Sequence, residues 1–203
     1  MFEQVTLFEN KIAEFFGAPF AVATDCCTHA IELCLRYLNS DNISFPSRTY
    51  LSIPMLGDKL KINWSWNEDR WEKYYNISNT PIYDAATLWE KGSYIPGTFM
   101  CISFQFKKHL SLGRGGVILC DKKQDYEELV KLSYDGRHRG PAWPSIDITS
   151  VGYHYYMTPE TAAMGLSKLE SAINTVPKIW NYTDYPDIRK NTLWKKNEIT
   201  YNK

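Results

Sequence analysis

Short apolar runs that alternate with stretches of helical periodicity restrict the fold of this chain more than any other feature of its sequence. Runs of strand type lie at residues 20–24, 43–45, 80–84, 99–104 and 117–120. Helical patterns lie at residues 3–16, 30–38, 49–56, 124–132 and 158–169. Strands that alternate with helices predict an α/β fold with a mainly parallel sheet. Residues 57–80 are polar and rich in tryptophan, and their pattern indicates no particular element.

Charge, hydropathy and cysteine usage exclude several classes of protein. The 203 residues include 23 Lys and Arg and 23 Asp and Glu, so the zero net charge gives no reason to expect nucleic acid or an anionic membrane as the main partner. No apolar run approaches the roughly 18 residues of a membrane helix. Acidic residues within residues 1–16 argue against a signal peptide. The five cysteines form no C-x-x-C pair, which indicates reduced thiols of a cytoplasmic protein and neither disulfides nor a metal site.

Residues 103–121, SFQFKKHLSLGRGGVILCD, place two lysines ahead of a glycine-rich turn. A nucleotide-binding P-loop has the pattern G-x-x-x-x-G-K-[ST], in which the lysine follows the glycines and a helix comes next. Here Lys107 and Lys108 precede the glycines of residues 113–116, and a run of strand type follows. The stretch is therefore not a P-loop, and the lysines need another explanation.

Four polar clusters fall at the ends of predicted strands. They lie at residues 25–28, 49–50, 84, and 103 with 107–108. In open α/β sheets, ligands bind at the carboxyl ends of the strands, and a helix N-terminus is an anion site. Each cluster alone has a purely structural explanation: Thr28 or Asp84 can cap a helix, Tyr50 can lie in the core, and a loop lysine can be solvated. Together they describe one site.

These segments resemble motifs of the DegT/DnrJ/EryC1/StrS family of sugar aminotransferases, which are fold-type I enzymes that use pyridoxal phosphate (PLP). The resemblance extends from the first helix to about Leu169. It includes a Ser-Phe-x-x-x-Lys motif at residues 103–108, an Asp-Ala-Ala motif at 84–86 and a threonine turn at 27–30. It also includes a segment with a stacking aromatic at residues 46–50 and a Gly-Tyr-x-Tyr-x-Met segment at 152–157. It implies a three-layer large domain over residues 1–173, internally shortened around residues 57–80. The C-terminal small domain is expected to be reduced or absent, with residues 174–203 forming a polar, aromatic arm.

The resemblance also implies roles for individual residues. Counting from Ser103 places the Schiff-base lysine at Lys108 and makes Lys107 its neighbour, a second phosphate contact or a solvated charge. Asp84 corresponds to the aspartate that pairs with the pyridine nitrogen. Three residues correspond to the family's phosphate contacts: Thr28, His29 and Ser103. Tyr50 corresponds to the ring that stacks on the cofactor, and Thr87 to the contact with the ring oxygen. His154 corresponds to the residue that reaches the phosphate in the partner subunit's site.

The chemistry of these residue types agrees with those roles. Burial lowers the pKa of a lysine toward neutrality, so that Lys108 can attack an aldehyde and later act as a general base. An anionic Asp84 would keep the pyridine nitrogen protonated. Substrate contacts are expected from Arg137, or Arg139 in its place, and from Tyr153 and Tyr155. A solvated basic loop explains the two arginines equally well.

Several positions depart from the family pattern. Arg114 replaces a glutamate of the glycine hairpin, and the sequence offers no account of it. His154 replaces an asparagine, but its imidazole can still donate to a phosphate. Thr87 stands where a glutamine is common.

Two functional hypotheses follow. The first is a homodimeric aminotransferase that moves an amino group from glutamate or a similar amino acid to a nucleotide-linked keto-sugar, with His154 completing the partner subunit's site. Dehydratases of the family carry histidine in place of the lysine, so Lys108 favours transamination. The second is a catalytically degenerate PLP fold that binds cofactor or a nucleotide-sugar for regulation or assembly. The internal shortening and the missing small domain motivate this alternative.

Overall fold

The computed structural model describes residues 2–195 as one α/β unit. Its strands are β1 (Phe20–Thr24), β2 (Asn42–Pro46), β3 (Asn63–Asn67), β4 (Tyr75–Ile77), β5 (Ile82–Asp84), β6 (Phe99–Ser103) and β7 (Gly116–Cys120). Its α-helices are α1 (Glu3–Phe16), α2 (Cys27–Tyr37), α3 (Ser52–Leu60), α4 (Lys123–Ser133), α5 (Pro159–Ile173) and α6 (Thr192–Lys195). Within this described part, no helix has both the length and the apolar character that crossing a membrane requires.

Five strands form the central sheet in the order β1-β7-β6-β5-β4. The α/β class is confirmed, but the sheet is mixed where a mainly parallel one was expected. Only β5 and β6 run parallel, and the other three pairs in this sheet are antiparallel. The connections explain two of these pairs: residues 78–81 are too few for a crossover, and residues 104–115 turn back as a hairpin in which the Phe104 N–H donates to the Gly115 carbonyl. The parallel strands β5 and β6 are joined by the longer residues 85–98, which cross over without a helix.

Helices cover both faces of the central sheet, which gives the three layers. Alternate residues along a strand point to opposite faces. Ala21 and Leu119 therefore face the core under α1 and α5, whereas Val22 and Ile118 face the core under α2 and α4. A glycine allows α5 to approach α1 closely, because a Cβ on Gly165 would lie only 2.5 Å from the Phe8 ring.

The unassigned residues 57–80 contain the end of α3 and the strands β3 and β4. Strand β3 pairs in parallel with β2 in a separate two-stranded sheet. The aromatic rings of this sheet pack together and reach the C-terminal arm, where Trp194 is 3% exposed and meets Trp66 edge to face. The division of the chain at residue 173 stays a prediction, and residues 196–203 of the predicted arm lie outside the described residues.

Candidate active site

A cavity of about 510 Å³ opens at the carboxyl ends of β5 and β6, beside the first residues of α2 and α3. This is the edge of the sheet where ligands of α/β proteins bind. The predicted site residues that line it come from four separate segments: Thr28, Tyr50, Asp84 with Thr87, and Ser103 with Lys108. The fold therefore brings into one cavity polar residues that lie up to 80 positions apart in the sequence.

Lys108 lies in the turn after β6, where its backbone N–H donates to the Gln105 carbonyl at 2.7 Å. The side chain is half-buried, and its Nζ donates to the Tyr185 hydroxyl at 3.3 Å. Desolvation lowers the pKa of Lys108, although the Asp84 carboxylate opposes that shift. Lys107 is exposed, which distinguishes the two neighbouring lysines. Of this pair, Lys108 is the lysine with the environment of a nucleophile.

Asp84 ends β5 and is 6% exposed. Its carboxylate accepts hydrogen bonds from the Tyr75 hydroxyl at 2.6 Å and from the Ala86 N–H at 3.0 Å. Burial raises the pKa of Asp84, while the two hydrogen bonds and the charge of Lys108 act to lower it. The Tyr75 hydroxyl also contacts Thr49. Sequence reasoning missed Tyr75, because it lies in the segment that shows no periodicity.

The N-termini of α2 and α3 meet at the cavity. Thr28 does not cap α2, because the Cys26 thiol holds that position and accepts from the His29 N–H at 3.5 Å. The Thr28 hydroxyl lies 2.8 Å from the Ser52 hydroxyl at the start of α3. Ser103 also lines the cavity, so this corner combines three hydroxyls with two helix N-termini, the kind of donors that bind anions in other proteins.

Two further predicted contacts line the cavity. Tyr50 is 57% exposed, so its ring is free to cover a ligand. The Thr87 hydroxyl donates to the Lys73 carbonyl at 2.7 Å.

Arg114 now has a structural account. Its guanidinium donates to the Asp25 carboxylate at 2.7 Å and to the Asp25 carbonyl at 3.3 Å, while it also lines the cavity. Asp25 in turn lies 2.6 Å from His29 Nδ1. Burial acts to lower the pKa of His29, but hydrogen bonds to Asp25 and Cys26 outweigh it and raise that pKa to about 9. His29 thus belongs to an ion-pair cluster beside the cavity and does not line it.

The other predicted contacts also lie outside the cavity of their own chain. His154 has a side chain 71% exposed, with Nδ1 3.1 Å from Asp135. Arg137 packs over the Tyr134 ring and lines a second cavity near α1. The remaining two tyrosines cover the outer face of α2: Arg36 stacks over Tyr153 at 4.4 Å, and the Tyr155 ring lies 3.7 Å from that of His29.

Arg139, the alternative to Arg137, forms a structural ion pair and has a side chain only 9% exposed. Its guanidinium makes two hydrogen bonds, of 2.8 and 2.9 Å, to the buried carboxylate of Glu9.

The C-terminal arm supplies cavity residues that sequence reasoning did not place there: Trp180, Asp184 and Tyr185. The available signal was the density of aromatic residues on a polar background, which is common in ligand walls and interfaces.

This set of residues fits PLP. A buried carboxylate suits the pyridine nitrogen, a partly desolvated lysine suits the aldehyde, and the corner of hydroxyls and helix N-termini suits the phosphate. The cavity volume falls within the roughly 300–1,000 Å³ of ordinary ligand sites. Fold and site together have the features of the fold-type I class of PLP-dependent proteins.

Comparisons with known proteins agree with this class. The model of the DegT/DnrJ/EryC1/StrS aminotransferase family matches residues 1–53 and 91–179. The chain belongs to this family. Asp84 and Tyr75 lie in the unmatched interval, so their placement in the site rests on the geometry. A search of curated proteins finds no match.

Solved structures share the fold at low sequence identity. AtS13 from Actinomadura melliaura is 21% identical with a TM-score of 0.71, covering 83% of this chain and 60% of its own. Spr1654 from Streptococcus pneumoniae in its PLP form is 17% identical with a TM-score of 0.69, covering 83% and 59%. The sugar aminotransferase CalS13 from Micromonospora echinospora is 14% identical with a TM-score of 0.70, covering 84% and 61%. The chain thus spans about 60% of the length of these structures.

Proposed function

We propose that this protein binds PLP through Lys108 and transfers an amino group from an amino acid, with glutamate the expected donor, to a keto-sugar linked to a nucleotide. The observation that carries the proposal is the pairing, in one cavity, of a lysine of lowered pKa with the buried carboxylate of Asp84. Family membership supports the reaction class, and the likeness to CalS13, a sugar aminotransferase, supports the substrate class.

PLP would supply an electrophilic aldehyde and a ring that withdraws electrons. The chain's own residues then divide the remaining work. Lys108 would hold the cofactor through its Nζ and, with that nitrogen free, would act as the base for the substrate Cα proton. Asp84 would keep the pyridine nitrogen protonated. The hydroxyls of Thr28, Ser52 and Ser103 would hold the phosphate.

Shared sites in a homodimer form the second part of the proposal. His154, Arg137, Tyr153 and Tyr155 do not line the cavity of their own chain, so contacts from them to a ligand would have to be made across a subunit boundary. His154 suits this role best, because its exposed imidazole can donate to a phosphate of the partner's site.

Reductive trapping tests the cofactor. Protein incubated with PLP is reduced with borohydride, and peptide mass spectrometry locates the adduct. We expect the label on Lys108, its loss in Lys108→Ala and its retention in Lys107→Ala, the matched control. A label on Lys107, or no label, refutes the assignment.

Activity is measured as conversion of glutamate to 2-oxoglutarate with nucleotide-linked keto-sugars. Removal of Lys108 as proton carrier should lower the rate by about 10²–10⁴-fold. A Lys108→Ala protein with unchanged activity would eliminate the mechanism.

Mixed dimers test shared sites. Lys108→Ala subunits mixed with His154→Ala subunits should regain some PLP-bound sites, because one site of each mixed dimer combines the intact Lys108 of one subunit with the intact His154 of the other. No recovery contradicts the shared arrangement.

A degenerate PLP fold with only a binding role is less well supported. Binding alone does not require both the lysine and the buried Asp84 carboxylate. We also propose a cytoplasmic location, because all five cysteines are free thiols and four of them are buried.

A further inference from the structure

The arm closes one side of the cavity and is held there by backbone contacts on both flanks. Three hydrogen bonds attach it to the segments after β2 and before β4: from the Tyr182 N–H to the Trp71 carbonyl (2.9 Å), from the Lys73 N–H to the Trp180 carbonyl (2.7 Å) and from the Ile188 N–H to the Ser47 carbonyl (3.1 Å). Ile188 is 1% exposed. A segment anchored in this way is a built wall of the cavity.

Tyr185 is the arm residue that meets the reactive lysine. Its hydroxyl accepts a hydrogen bond from Lys108 Nζ at 3.3 Å, and the Trp180 ring centre lies 5.5 Å from the same nitrogen. The Tyr185 backbone is itself fixed, because its carbonyl accepts from the Arg48 guanidinium at 2.7 Å. Its ring packs against Trp71 with centres 5.4 Å apart.

The other groups around Lys108 do not fill the same role. Among the described residues, the titratable groups that act on its Nζ from neighbouring elements are Asp84 of β5, Cys27 of α2, the adjacent Lys107 and Tyr185 of the arm. Of these, the structure gives only Tyr185 a hydrogen bond to the lysine nitrogen. Burial raises the pKa of Tyr185, so its phenol is neutral at physiological pH and keeps an oxygen lone pair for the lysine.

We propose that Tyr185 is a positioning residue, supplied by the arm, that orients the Nζ of Lys108 and stabilises its protonated form. A lysine side chain carries its nitrogen on a flexible four-carbon stem, and a hydrogen bond to one fixed acceptor removes much of that freedom. The proposal deepens the proposed function, on which it rests for its catalytic meaning. The hydrogen bond between Lys108 and Tyr185 is present in the protein without PLP.

Competitive labelling of the protein without PLP tests the contact. Trace acetic anhydride is applied from pH 6 to 11, and mass spectrometry follows acetylation of Lys108, with exposed Lys107 as the internal reference. Tyr185→Phe keeps the ring and removes the acceptor. Because the ammonium form loses its hydrogen bond, the Lys108 profile should shift to lower pH by about half a unit or more.

Tyr182→Phe is the matched control, since it changes a tyrosine of the same arm that does not line the cavity. Its Lys108 profile should match the wild type, and Lys107 should be unchanged in both variants. An unshifted Lys108 in Tyr185→Phe, or an equal shift in Tyr182→Phe, overturns the proposal. This outcome is separate from cofactor trapping. A shifted Lys108 profile without PLP adducts supports the role of Tyr185 and contradicts the proposed function. PLP adducts on Lys108 without a shifted profile support the proposed function and contradict the role of Tyr185.

Discussion

Replacing Tyr75 by phenylalanine should cost more stability than an ordinary buried hydroxyl, and the cost should depend on pH. The Tyr75 hydroxyl donates at 2.6 Å to the Asp84 carboxylate, and both side chains are 6% exposed. Phenylalanine keeps the ring and its packing. The substitution therefore removes one donor from a buried carboxylate, together with the contact between the Tyr75 hydroxyl and Thr49.

The magnitude follows from the charge of the acceptor. A hydrogen bond to a charged group contributes about 1.5–3 kcal/mol, against about 0.5–1.5 kcal/mol for a neutral pair. Tyr94 provides the neutral comparison, because its buried hydroxyl donates to the Thr98 carbonyl at 2.9 Å. Tyr75→Phe should lower the free energy of unfolding by about 1.5–3 kcal/mol at pH 8, and Tyr94→Phe by about 0.5–1.5 kcal/mol.

The sign of the pH dependence follows from Asp84. Burial raises its folded-state pKa above the ordinary 3.8, so its titration contributes stability that is full below 3.8 and is lost as pH rises through the folded-state pKa. Without the Tyr75 donor that pKa moves higher still. The cost of Tyr75→Phe should therefore be small near pH 4 and full near pH 8, whereas the cost of Tyr94→Phe should not change.

Urea unfolding of the apo protein at several pH values measures these costs, and Asp84→Asn completes a double-mutant cycle. We expect Tyr75→Phe to cost much less in the Asp84→Asn background. Equal costs for Tyr75→Phe and Tyr94→Phe at pH 8, or a coupling near zero, would show that Asp84 is not a carboxylate held by Tyr75. The reasoning on the cofactor's nitrogen partner would then fail.

Three further substitutions have expected outcomes. Glu9→Leu leaves Arg139 buried without its partner and should cost about 3–5 kcal/mol in urea unfolding, whereas Glu9→Leu combined with Arg139→Met should recover most of it; a cost below 1 kcal/mol for the single change contradicts the pair. Gly116→Ala places a Cβ 2.5 Å from the Cys27 nitrogen and should lower the free energy of unfolding by about 1–3 kcal/mol. It should also weaken PLP binding in absorbance titrations, and unchanged binding would contradict this expectation. Ile188→Ala should cost about 2–5 kcal/mol if the arm unfolds with the core and should speed protease cleavage of the arm, so an unchanged cleavage rate argues against its anchoring.

Much of the site was predictable because it depends on local spacing. The resemblance to the family's Ser-Phe-x-x-x-Lys motif, counted from Ser103, selects Lys108 over Lys107 without any structure, and Asp84 follows a short apolar run at a strand end. In the structure, both Lys108 and Asp84 line the cavity. Such short-range patterns survive because strand ends and the turns after them are local features.

The rest depends on contacts between residues far apart in the chain. Arg114 meets Asp25 across 89 positions, and Lys108 meets Tyr185 across 77. Tyr75 lies in a segment with neither helical nor strand periodicity, so no local pattern indicates that its hydroxyl reaches Asp84.

The sequence by itself determined the α/β class, the family and the polar residues that follow its strands, because hydrophobic periodicity and motif spacing are properties of neighbouring residues. Only the tertiary structure decided the directions of the strands, because these depend on whether a connection crosses the sheet or turns back. It also decided that the arm forms a wall of the cavity. That wall rests on a few backbone hydrogen bonds and on the burial of Ile188 and Trp194, which arise only when distant segments pack together.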